Sequence, residues 1–164
     1  MTKCYYGDAF VINGKGLVVF GKGKTRVISN KVILKEDKNN YRICNDSICF
    51  EEKDGKLYVI LNPLQDHSAD LNLPEPKIDD GHVVDFMFYH NAPEDSKETK
   101  ELTIDEFVKI SEFNINYSFF GMVDFDRTNE MINLIKNKDI KLFAIPWCDT
   151  DEERANIIKN ILYN

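Results

Sequence analysis

Over the first sixty positions the apolar residues come in short bursts, mostly β-branched or aromatic, with polar turn residues between them. Ala9 to Ile12, Leu17 to Phe20, Thr25 to Ser29, Lys31 to Lys35, Tyr41 to Cys44, Ser47 to Glu51 and Lys56 to Leu61 each read as a strand. Asn13-Gly14 and Asp54-Gly55 are tight-turn signals, because both residue types tolerate positive φ. The pattern predicts an antiparallel β-rich module over residues 1–61, a small barrel or curled sheet.

Residues 62–81 change texture, with Pro63, Pro74 and Pro76 among polar residues and Asp79-Asp80-Gly81 at the end, which predicts a linker or covering loop. From 82 to 164 the periodicity alternates. Val83 to His90 reads as a strand, and Thr103-Ile104-Asp105-Glu106 is a capping box that opens a helix. A strand ending at Asp124, a helix over Thr128 to Lys138, a strand over Lys141 to Ile145 and a helix opened by Thr150-Asp151-Glu152-Glu153 follow. The expectation is an α+β chain: the β-rich module, then a βαβαβα unit with a short parallel sheet whose centre is Phe119 to Val123.

Composition narrows the class. With 43% hydrophobic residues, 164 residues suffice for a real core, and no apolar run reaches the roughly 20 residues of a membrane helix. Without a signal-like start, the expectation is a soluble cytoplasmic protein in which Cys4, Cys44, Cys49 and Cys148 are reduced thiols. Net charge is −7, split into +4 over residues 1–60 and −11 over 61–164. The acidic part repels nucleic acid and suits a basic protein partner or a cation. An excess of Lys, Asn and Ile matches AT-rich coding, as in a low-GC bacterium, a phage or another mobile element.

The run Gly21-Lys22-Gly23-Lys24-Thr25 ends like a phosphate-binding loop. The opening glycine of that motif would fall at Val18, and Arg26-Val27-Ile28-Ser29 continues as a strand, so the pattern predicts a glycine-rich hairpin with solvated lysines. Lys15, Lys22, Lys24 and Arg26 then offer a weak basic face for nucleic acid, with Phe20 as a stacking ring.

In parallel α/β units ligands bind beyond the carboxyl ends of strands. Three tips qualify: His90 and Asn91; Asp124 and Asp126; and Trp147, Cys148 and Asp149. Asp124, Asp126 and Asp149 could hold magnesium while His90 transfers a proton; equally, Asp126 and Asp149 sit where helix caps belong. Phe119 to Thr128, an apolar strand closed by Asp124-Phe125-Asp126-Arg127-Thr128, resembles the first motif of haloacid-dehalogenase-type phosphatases. That resemblance implies Asp124 as nucleophile, Asp126 as general acid/base and magnesium as cofactor; Arg127 stands where the family has glycine. Phe143 to Cys148 is similar to the approach to a thioredoxin active site, which implies a thiol of lowered pKa at a helix start; Asp151 replaces the second cysteine.

With no complete catalytic motif, the leading expectation is a small acidic binding protein that occupies a basic partner, of inhibitor, immunity or phage host-modulating type, and needs no cofactor. Glu94, Asp95, Glu98 and Glu101 are its candidate contacts. The alternatives are a magnesium-dependent phosphate-transferring or hydrolysing enzyme built on Asp124 and Asp126, and weak nucleic-acid binding through the N-terminal basic face.

Overall fold

The computed structural model describes residues 4–21, 37, 39–44, 47–60, 81–92, 98–116 and 126–164. In chain order its strands are β1 (Cys4–Tyr5), β2 (Asp8–Ile12), β3 (Lys15–Gly21), β4 (Tyr41–Cys44), β5 (Ile48–Lys53), β6 (Lys56–Ile60), β7 (His82–Ala92), β8 (Lys100–Glu101) and β9 (Lys141–Pro146). The helices are α1 (Ile104–Ile110), α2 (Glu112–Asn116), α3 (Thr128–Ile135) and α4 (Asp151–Leu162). This is the expected mixed α+β class.

Two turns form as their residues dictate. Asn13-Gly14 joins β2 to β3, and Asp54-Gly55 joins β5 to β6, with positive φ at all four positions. Thr103 and Glu106 close the capping box of α1, and the Thr150 hydroxyl accepts the Glu153 amide at the start of α4.

All the described strands belong to one sheet, in the order β1-β5-β6-β7-β3-β2-β4, with β9 on β7 and β8 on β9. The parallel layer is β3-β7-β9: Leu17 lies opposite Phe86 and Phe20 opposite Tyr89, while Phe88 pairs with Phe143 on the other edge. Its centre is β7; Phe119 to Val123, the expected centre, lie outside the described residues. Strands from residues 4–60 and from 82 onwards thus share one hydrogen-bonded sheet, and β3 departs from a purely antiparallel meander.

β2 occupies one edge of β3 from Lys15 to Val19 and β7 occupies the other from Gly16 to Gly21. The hairpin expected at Gly21-Lys22-Gly23 falls beyond this point, and Lys22, Gly23, Lys24 and Arg26 lie outside the described residues.

Strands buried on both faces need continuous apolar runs. Leu17 to Phe20 and Phe86 to Tyr89 meet that need, all 8% exposed or less. One face sets Val18, Phe20, Met87 and Tyr89 against Phe107, Val108 and Ile115 of α1 and α2 and Met131 and Ile135 of α3. The other sets Leu17, Val19, Phe86 and Phe88 against Ala155, Ile158 and Leu162 of α4.

The β3–β7 register is set by a close approach. The Gly16 amide donates to Asp85 Oδ2 at 2.8 Å, and a Cβ at Gly16 would run into the Val83 carbonyl oxygen. Gly16→Ala should therefore cost about 2 kcal/mol or more, read from the urea midpoint; an unchanged midpoint would refute the approach.

Candidate functional site

Because β3, β7 and β9 run parallel, their carboxyl ends share one edge. Gly21, His90 and the run Pro146-Trp147-Cys148 lie there. The tips expected after β7 and after β9 share this edge with the end of β3.

Gly21 has a φ of +153°, and a Cβ on it would lie 2.6 Å from the His90 carbonyl oxygen, so glycine is required. Past Val19, where β2 ends, the buried side chain of Asn114 takes over as the strand's partner. Its Oδ1 accepts the Gly21 amide at 3.2 Å, and its Nδ2 donates to the carbonyls of Gly21 at 3.3 Å and Tyr6 at 2.7 Å. A side-chain amide thus completes the ladder and fixes the point at which the chain leaves β3. Nothing in the sequence singles out Asn114, one polar residue between Phe113 and Ile115.

His90 lies in register between Gly21 and Ile145, two residues beyond Phe88 and so on the α4 face of the sheet. It is 1% exposed, and neither ring nitrogen has a hydrogen-bond partner. A buried polar group left unsatisfied costs about 1–3 kcal/mol. Burial first, and the Arg154 charge second, push the imidazole down to about 4, so it is neutral at ordinary pH.

Arg154 belongs to the first turns of α4 and is itself buried. Its Nη2 donates to the Cys148 carbonyl at 3.3 Å, and its guanidinium carbon lies 5.8 Å from the centre of the exposed Trp147 ring. The Cys148 thiol donates to the Pro146 carbonyl at 3.4 Å. Burial pushes this thiol up despite Arg154, with help from Glu153 and Asp149, which reverses the lowering implied by the thioredoxin resemblance.

The acids are dispersed. Asp124 lies outside the described residues. Asp126 is exposed, and its Oδ1 accepts the Thr128 amide at 2.9 Å at the start of α3, which holds its carboxyl below the usual range. Asp149 is exposed just before α4. Since α3 packs on one face of the sheet and α4 on the other, these two acids introduce helices on opposite sides. Among the described residues no group of three or more His, Cys, Asp or Glu could hold a metal ion. Arg127, where the phosphatase resemblance has glycine, is a buried anchor whose guanidinium lies 3.9 Å from the centre of the Tyr5 ring.

The remaining candidates divide the same way. Lys15 is committed to the end of α4, its Nζ donating to the Leu162 carbonyl at 2.7 Å. Glu98 and Glu101 are exposed, while Glu94 and Asp95 lie outside the described residues.

Two predictions follow from this geometry. Asn114→Ala strips partners from Gly21 and Tyr6 and should cost about 2–3 kcal/mol in urea unfolding; a loss near zero would show that the amide is not the strand's partner. His90 titrates near 6.5 unfolded and about 4 folded, so its contribution is complete above about pH 6.5 and is lost as pH falls toward 4. That span is worth up to about 3 kcal/mol. In His90→Leu the stability curve should be flatter across this range, as measured by urea midpoints; an unaltered slope would rule out a neutral buried imidazole.

No described helix is long and apolar enough to cross a membrane. No family model matches the sequence, and no curated protein matches it. The fold is similar to that of the Hpr(Ser) kinase/phosphatase from Coxiella burnetii, with a TM-score of 0.51 at 10% sequence identity, over 97% of this chain and 95% of that chain. At that identity the likeness is one of fold.

Proposed function

We propose that the chain binds a phosphate-bearing ligand of nucleotide type at the carboxyl edge of β3, β7 and β9, using the run Gly21-Lys22-Gly23-Lys24-Thr25. One observation carries the reading: β3 is an interior strand, parallel to β7, and it ends on a pinned glycine with both edges taken. In sequence a glycine- and lysine-rich run follows that strand, and α/β sheets bind ligands at such carboxyl ends. Glycines let backbone amides approach phosphate, lysines supply charge, and the threonine adds a hydroxyl.

The run is shorter than a full phosphate-binding loop. Val18 is a buried residue of β3, and one residue separates Gly21 from Gly23. Fewer amides are then available to the phosphates, and Lys22 and Lys24 carry more of the interaction. The fold it shares with a protein named as a kinase and phosphatase supports the ligand class, and phosphoryl transfer is the enzymatic form of the same reading.

Calorimetry with ATP and with GTP tests the proposal. Lys24→Ala should weaken binding roughly tenfold or more, the worth of a charge-assisted contact, with the circular dichroism spectrum unchanged. The reading fails if neither nucleotide binds the wild-type chain, or if Lys24→Ala binds as tightly.

A further inference from the structure

We propose that His90 and Arg154, beneath the first turn of α4, form a second contact set for a phosphoryl group, on the α4 face of the same sheet edge. The inference takes its ligand class from the phosphate-binding reading and adds residues outside the glycine-rich run.

The starting point is an unmet need. His90 is buried with both ring nitrogens unpartnered, although a neutral imidazole carries one donor and one acceptor. Its side chain shares a face with Phe86 and Phe88, the residues packed under α4, and it feels the charge of Arg154 on that helix. Burial first, and the charge of Arg154 second, keep the imidazole neutral. An anion beside it accepts from the imidazole and makes proton uptake by His90 favourable. The amino end of α4 contributes in the same sense, since helix N-termini favour negative charge.

Position and chemistry favour a phosphoryl group over other anions. His90 is directly in register with Gly21, so a group seated here neighbours the start of the lysine-rich run. Trp147, 54% exposed and beside Arg154, leaves an apolar ring at the rim. Asp149 and Glu153, the acids that act on the neighbouring Cys148, are exposed, and the Cys148 thiol, buried, also feels Arg154.

The probe is inorganic phosphate alone, titrated into the full chain near pH 6 while the ring resonances of the three histidines, His67, His82 and His90, are followed by NMR; His90→Gln identifies the His90 signal. His90 should shift toward its protonated position as phosphate is added. Arg154→Gln should weaken that response roughly tenfold or more, and Arg154→Lys should restore part of it. If Arg154→Gln does not fold, Arg154→Lys decides: a weakened response supports the inference and an unchanged one overturns it. A wild-type His90 resonance that ignores phosphate also overturns it. Nucleotide binding by calorimetry with a silent His90 removes this inference and leaves the preceding reading intact, whereas a responsive His90 without nucleotide binding does the reverse.

Discussion

The parallel pairing of β3 with β7 is the constraint on which the rest of the molecule depends. It joins residues 16–21 to 84–90, so residues far apart in sequence become neighbours in one sheet. It also closes the second edge of β3, whose first is held by β2. A strand enclosed in this way must be apolar on both faces and must release the chain at its end. Leu17 to Phe20 satisfy the first demand, and Gly21, held by Asn114, satisfies the second.

Enclosure on both edges also creates two separate cores. Val18 and Phe20 serve the face covered by α1, α2 and α3, while Leu17 and Val19 serve the face covered by α4. The division matters chemically because it sorts polar groups as well as apolar ones. Asp126 accompanies α3, accepting the Thr128 amide at its start, whereas His90 and Arg154 fall on the α4 side. Groups that alternate along one strand are thereby kept on different surfaces, and the carboxylates are dispersed while an imidazole and a guanidinium are concentrated.

Local chemistry made much of this legible in the sequence. Turns at Asn13-Gly14 and Asp54-Gly55, the box at Thr103 and Glu106, the helix after Thr150 and the strand expected over Val83 to His90 each follow from residues within a few positions of one another. The neighbour of β3 was not legible, because a buried apolar run specifies burial without specifying which strand supplies it. His90 could be found as a strand tip, but Arg154 reads in sequence as an ordinary helix cation, and Asn114 as a solvated helix residue. Their roles arise only when α4 and α2 dock on opposite faces of the sheet.

The attachment of α4 carries a mechanical consequence. Its carboxyl end is clasped by the first hairpin: the Leu162 carbonyl accepts from Asn13 Nδ2 at 3.0 Å and from Lys15 Nζ at 2.7 Å, and the Tyr163 hydroxyl accepts from Asn40 Nδ2 at 3.3 Å. Arg154 stands about 12 Å from that clasp along the helix axis and is itself tied to the Cys148 carbonyl just beyond β9. The helix is thus anchored at both ends, so a shift of the first hairpin would be passed along α4 to the carboxyl edge of the sheet.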